Sequence, residues 1–148
     1  GYNTDVIGFE ASFKEKYNPL IHRKALILGT GGASAAVQYI LTKLQIPFKL
    51  VSRKLVKNGI KYEQLNESIY ADYTIIINTT PLGTFPTIHE APRINYNCIN
   101  ENFYLYDLVY NPEQTLFLKL GEQKKATIKN GYDMLTLQAE ESWRIWNE

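Results

Sequence analysis

Between the apolar run Ala25-Leu26-Ile27-Leu28 and the start of a helical pattern lies Gly29-Thr30-Gly31-Gly32-Ala33-Ser34. Strand, glycine turn and helix in that order are what a dinucleotide pyrophosphate requires. Gly29 permits the tight turn, and Gly31 lacks the Cβ that would hold a phosphate away from the backbone. The helix opening near Gly32 aims its free N–H groups and positive dipole end at the anion. Gly32, Ala33 and Ser34 complete the cradle, with Ser34 where helix meets strand. A second group follows the next apolar run, Phe48-Lys49-Leu50-Val51, and reads Ser52-Arg53-Lys54, with Lys57 beyond. A site for NAD places a carboxylate there for the ribose 2′-hydroxyl. Two adjacent cations instead favour a 2′-phosphate, hence NADP, with Arg53 able to bind it bidentately or stack on adenine. The alternative is a solvated basic turn.

A third group closes the run Thr74-Ile75-Ile76-Ile77: Asn78-Thr79-Thr80-Pro81-Leu82-Gly83. Polar residues with Gly and Pro at the carboxyl end of a central strand mark where ligands sit in open α/β sheets. Two further polar residues stand on apolar helical stripes. Asp5 precedes Val6, Phe9, Phe13 and Tyr17, and from its own window reads as a first-turn charge that suits the helix dipole. Gln138 falls within a stripe of Met134, Leu135, Ala139, Ser142, Ile145 and Trp146, where an amide needs either a backbone or a ligand partner.

The elements that position these groups follow from periodicity. Residues 1–18 read as a helix capped by Asn3 or Thr4 and stopped at Asn18-Pro19. Residues 24–29 form a strand buried on both faces, since it does not alternate. The helix after it places Ala33, Ala36, Val37, Ile40, Leu41 and Leu44 inward, and with strand 48–51 completes a βαβ unit. Short elements follow at 60–62 (strand) and 65–70 (helix), then strand 74–78, a long connection over 84–102, and strand 104–110. Helix 113–122, strand 125–128 and helix 133–146 end the chain, with Asn130-Gly131 as the last turn. The expected fold class is α/β, a Rossmann-like doubly wound parallel sheet of order 3-2-1-4-5-6 with helices on both faces.

The 148 residues suffice for one domain with a sizeable core, and 45% apolar with 21% charged content is ordinary for a globular chain. A net charge of +1 gives no bulk attraction to nucleic acid or an anionic membrane. Cys98 is the single cysteine, so no intramolecular disulfide forms, in keeping with a reducing, cytoplasmic setting. It reads as a small buried residue, and His22 and His89 read as surface histidines. No secretory or membrane-spanning run is present, and no cluster of His, Cys and carboxylates suggests a metal. The chain opens on Gly1, directly on a dense motif, which predicts that it is cut from something longer.

Five motifs in order resemble the C-terminal half of shikimate dehydrogenases: GYNTDVIGF at Gly1–Phe9, GTGGAS at Gly29–Ser34, NTTPLG at Asn78–Gly83, DLVYNPEQT at Asp107–Thr115 and GYDMLTLQA at Gly131–Ala139. The resemblance implies an enzyme that reduces 3-dehydroshikimate to shikimate with NADPH in aromatic amino-acid biosynthesis. It implies that residues 1–18 are a linker helix from an N-terminal substrate domain outside this chain. Residues 19–148 would then be the NADP-binding Rossmann domain, closed by a C-terminal helix. Asp5 would be one of a catalytic pair with a lysine of the other domain, and Gln138 and Tyr110 would face substrate. Gly131 would lie beside the nicotinamide and Thr79 and Thr80 near the cofactor, alongside Ser52, Arg53 and Lys54. The chain departs from the family at Ser52, usually asparagine, at Ala35, often a cation, and at Thr84, usually methionine. Alone, it is expected to be inactive. Two other readings stay open: a non-catalytic NADP-binding module, and a relative acting on quinate. Asp5, Gln138 and Tyr110 together speak against the first.

Overall fold

The structure is a computed structural model; it describes the backbone of residues 4–147 and the side chains of residues 8–147. Six parallel strands form one sheet in the order β3-β2-β1-β4-β5-β6. They are β1 (Ala25–Leu28), β2 (Phe48–Ser52), β3 (Gly59–Lys61), β4 (Ile75–Asn78), β5 (Tyr104–Asp107) and β6 (Thr127–Lys129). β1 is central and pairs with β2 from Ala25↔Phe48 and with β4 from Ala25↔Ile75. The order is the one expected, and the doubly wound α/β fold with it.

Side chains alternate along each strand and so divide the core into two layers. Ala25, Ile27, Ile75, Ile77, Tyr104 and Tyr106 pack on one face with Phe9 and Phe13 of α1 (Thr4–Lys14), Val37, Ile40 and Leu41 of α2 (Gly32–Lys43), and Met134 of α5 (Tyr132–Trp146). Leu26, Leu28, Ile76 and Leu105 pack on the other with Tyr70 of α3 (Glu67–Asp72) and Phe117 and Leu118 of α4 (Leu116–Gln123). β1 and β4 are fully buried along their length, as strands with helices on both sides must be.

Several boundaries differ from the periodic pattern, each for a local reason. β5 ends at Asp107 rather than 110, because the Asp107 carboxylate accepts from the Val109 N–H at 3.0 Å and turns the chain. α4 starts at Leu116 because Thr115 is its N-cap, accepting from the Leu118 N–H at 3.3 Å. β6 starts late because Lys125 takes φ 68° in the turn that ends α4. The 84–102 connection carries one 3₁₀ turn, Tyr96–Cys98. On α2, Ala33 is exposed and the inward face runs Ser34, Val37, Ile40 and Leu41. Cys98 is half-buried rather than buried.

His22 is not a surface residue: it is 2% exposed, ringed by Tyr17 and Tyr104. Its Nδ1 accepts from the Asn18 N–H at 2.8 Å, and its Nε2 has no hydrogen-bond partner among the described residues. Burial lowers its pKa, keeping the ring neutral.

α5 also turns a different face inward than its apolar residues suggest. Trp143 and Trp146 are 69% and 88% exposed, and Ala139 and Ser142 are exposed too. Asp133, Met134, Leu137, Gln138, Glu141 and Ile145 are the half-buried positions. The cause is Gly8, which lets α1 and α5 touch: a Cβ there would stand 2.5 Å from the Met134 carbonyl oxygen and 2.7 Å from Gln138 Cγ. Farther along the pair, the nearly buried Lys129 ammonium donates to Glu15 at 2.7 Å and to Asp133 at 2.6 Å. Burial alone would lower the Lys129 pKa; its two carboxylates outweigh that and raise it. Gly8→Ala is expected to destabilise the domain by about 1–2 kcal/mol, overpacking exceeding the gain in helix propensity. A thermal melt at or above the wild-type midpoint would contradict this close approach.

Candidate functional site

The carboxyl ends of β1, β2 and β4 open onto a cavity of about 880 Å³, of the size that small-molecule cofactor sites have. Gly29 and Thr30 line it from β1, Ser52 and Arg53 from β2, and Thr80, Pro81 and Leu82 from β4. These three groups are the ones singled out by residue type.

The phosphate turn is built as its glycines require. Gly29 takes φ +110°, and a Cβ there would sit 2.5 Å from Thr79 Oγ1. α2 then begins at Gly32 after the N-cap Gly31, which supplies no side-chain cap, and a Cβ on Gly31 or Gly32 would meet open space. The first N–H groups of a 12-residue helix thus face an exposed, uncapped surface, which fits a bound phosphate. Ser34 turns the other way: it is fully buried, and its Oγ accepts from Gln38 Nε2 at 3.2 Å. Ala33 is exposed beside the turn.

Arg53 lines the cavity with an exposed side chain, close enough to Tyr62 to act on it electrostatically. Ser52 Oγ accepts from the Lys54 N–H at 3.2 Å, shaping the basic turn. Lys54 is exposed and does not line the cavity.

Thr79 and Thr80 are held from below. Thr79 Oγ1 donates to the Leu28 carbonyl at 2.6 Å, doubling the backbone bond from the Thr79 N–H to the same oxygen at 2.9 Å. Thr80 donates to Asn78 Oδ1 through its N–H at 3.1 Å and its Oγ1 at 2.7 Å. The Asn78 amide donates in turn to Asp107 Oδ1 at 3.1 Å, and Thr115 Oγ1 donates to Asp107 Oδ2 at 2.7 Å. A chain of buried hydrogen bonds therefore ties the cavity wall to the N-cap of α4. Burial pushes the Asp107 carboxyl up to about 6, against the pull of its Thr115, Val109 and Asn78 donors. Asp107 was not singled out by type. An acid closing an apolar strand and followed eight residues later by a helix cap is the signal that marks it.

The remaining candidates stand apart from this cavity. Tyr110 is 46% exposed in the loop after β5. Gly131 is buried at the start of α5, where a Cβ would run into the Leu108 carbonyl. Gln138 is half-buried in the seam with α1. Asp5 lies on α1 by its backbone, and its side chain, like that of Val6, is outside the described residues, as is all of Asn3. His89 is exposed as expected but lines the cavity, as do Tyr62, Glu63, Glu90 and Arg93. Among the described residues, no three His, Cys, Asp or Glu side chains come together as metal ligands would, and no helix is long and apolar enough to cross a membrane.

No family model matches the sequence. A shikimate dehydrogenase (NADP(+)) of Methanococcus maripaludis is 39% identical over 160 aligned residues, which take in 99% of this chain and 57% of the relative. A crystal structure of a shikimate dehydrogenase in complex with NADP+ superposes with a TM-score of 0.82 at 28% identity, over 99% of this chain and 56% of that one. The Thermus thermophilus shikimate 5-dehydrogenase, in complex with NADP(H) and shikimate, gives a TM-score of 0.81 at 26% identity, over 99% of this chain and 57% of its own. Along almost its whole length, this chain is therefore a relative of proteins named shikimate dehydrogenase, and it spans a little more than half the length of each of these three.

Proposed function

We propose that this chain is the NADP-binding half of a shikimate dehydrogenase, which reduces 3-dehydroshikimate to shikimate. The observation that carries the reading is the meeting of Gly29 and Thr30, which lead into the uncapped start of α2, with Arg53 at one cavity, in a chain whose relatives are named for NADP(+). The N–H groups at Gly31, Gly32 and Ala33 hold the pyrophosphate. Arg53, with Ser52 and Lys54 shaping its turn, neutralises the 2′-phosphate, and no carboxylate stands in that turn to favour NAD. Thr80 lines the wall, Thr79 fixes the turn from beneath, Ser34 packs the start of α2 inward, and Gly131 lies beside the nicotinamide.

The hydride is the cofactor's contribution, and the chain's task is to position what it binds. α1 enters from a substrate domain outside this chain, and Asp5 orients a lysine of that domain at the reacting oxygen. Tyr110 and Gln138 face the substrate from the loop after β5 and from α5. The setting is cytoplasmic, and neither nucleic acid nor membrane is involved.

Titration of this chain with NADPH and NADH tests the cofactor. NADPH is expected to bind better, and Arg53→Ala to weaken it by about 1–3 kcal/mol, the loss of a charge-assisted bond, while NADH changes little. Equal losses for both cofactors would show that Arg53 does not read the phosphate. The activity needs the longer protein: with the substrate domain present, NADP-dependent oxidation of shikimate should appear, and its absence there would overturn the reading.

A further inference from the structure

The lining of the cofactor cavity contains a second guanidinium. Arg93 lies on the long connection after β4, whereas Arg53 follows β2, and β1 with its glycine turn runs between those two strands. The two arginines thus reach one cavity from two separate segments of the chain. Arg93 is rooted. Pro92 before it is buried and Ile94 after it is 8% exposed, packed in the core layer with Tyr70 and Phe117. The Pro92 carbonyl accepts from the Ile94 N–H at 3.0 Å and from the Tyr96 hydroxyl at 2.8 Å, and the Tyr70 hydroxyl accepts from the Asn95 N–H at 2.9 Å. The backbone at 93 is clamped while its side chain stays exposed toward the cavity. A clamped root leaves only side-chain freedom to be lost when a ligand binds.

Charge makes this arginine consequential. Glu63 and Glu90 also line the cavity, and among the described residues neither is ion-paired with Arg53 or Arg93. The two arginines balance the two glutamates. Without Arg93 the charged lining would be net negative, a poor host for a phosphate dianion. We infer that Arg93 is a specificity-determining residue for the cofactor, a second guanidinium on the 2′-phosphate beside Arg53. Arg presents a planar fork that meets phosphate bidentately, so two of them can share the dianion's oxygens.

The inference rests on the NADP reading, and the test separates the two. Adenosine 2′,5′-bisphosphate and 5′-AMP are titrated calorimetrically into wild type, Arg93→Ala and Arg93→Lys. Arg93→Ala is expected to weaken the bisphosphate by about tenfold or more and 5′-AMP by less than about threefold, with Arg93→Lys recovering part of the loss. The thermal midpoint should not move, because the side chain is exposed. Wild-type affinity of Arg93→Ala for the bisphosphate would overturn the role of Arg93 and leave the NADP reading standing. So would an equal loss for both ligands, which would place Arg93 on the adenine or the 5′-phosphate. A wild-type chain that prefers 5′-AMP would overturn both.

Discussion

On the proposed role of Asp5, Asp5→Asn in the protein with its substrate domain is expected to lower turnover by roughly 10²–10⁴-fold, the usual cost of losing one member of an acid–base pair. NADP affinity should hardly change, since Asp5 is far upstream of the phosphate turn in sequence and on a different helix. The separation has a structural basis. α1 is fixed against α5 at Gly8, against Lys129 through Glu15, and against α2 through Glu10, whose carboxylate accepts from Lys43 at 2.8 Å. A residue one turn before Gly8 therefore has its place set by the α1–α5 seam rather than by the cofactor groove. Asparagine keeps the size of the side chain and removes its charge, so a lost rate with unchanged cofactor binding would report on chemistry. Steady-state kinetics with a separate NADPH titration reads both quantities. Normal turnover would reduce Asp5 to a first-turn helix charge.

Removing the Asp107 carboxylate should have the largest effect on stability. It is fully buried and receives hydrogen bonds from Asn78, Val109 and Thr115. Asp107→Ala strands these donors, at about 1–3 kcal/mol for each buried group left unpaired. A total near 3 kcal/mol would lower the melting temperature by on the order of 10 °C. Asp107→Asn, which keeps one acceptor oxygen, should be milder. The acid also makes stability depend on pH. Its carboxyl titrates at about 6 in the fold, against 3.8 when unperturbed. The folded state therefore holds the proton to higher pH than the unfolded state does. The stability this gives is fully present below pH 3.8 and is lost as pH rises to about 6. The difference is roughly 3 kcal/mol, at 1.36 kcal/mol per pH unit. Calorimetric melts of wild type and Asp107→Asn across that range isolate this term, because only the wild type can titrate there. A constant gap between the two curves would show that the buried carboxyl is not shifted.

The parts of the fold that could be read from residue types are those where one local signal suffices. Two uninterrupted apolar runs, at Ala25–Leu28 and Ile75–Ile77, read as central strands, and the glycine turn after the first told which edge binds. What escaped reading depends on residues distant in sequence. The inward face of α5 packs where Gly8, more than 120 positions earlier, lets α1 approach, so the apolar stripe holds at Met134 and Ile145 and fails at Leu135, Ala139, Ser142 and Trp146. His22 reads as exposed from its neighbours Pro19, Arg23 and Lys24, which are polar or turn-forming, whereas β5, more than 80 positions later, brings Tyr104 against it to complete its burial with Tyr17. Arg53 was legible because it follows a strand directly. Arg93 was not, because only the folded path of the 84–102 connection brings it to the same cavity.

The seam between α1 and α5 has a topological consequence. Lys16 just after α1 donates to the Ile128 carbonyl at 2.9 Å, Glu15 meets Lys129, and Gly8 meets Met134 and Gln138. The two helices therefore run antiparallel, and Thr4 lies toward the same end of the pair as Trp146. An attachment made at that end of the pair meets two helical stems side by side. A load or rotation applied there is shared between two helices instead of one flexible strand, so the joint is stiff.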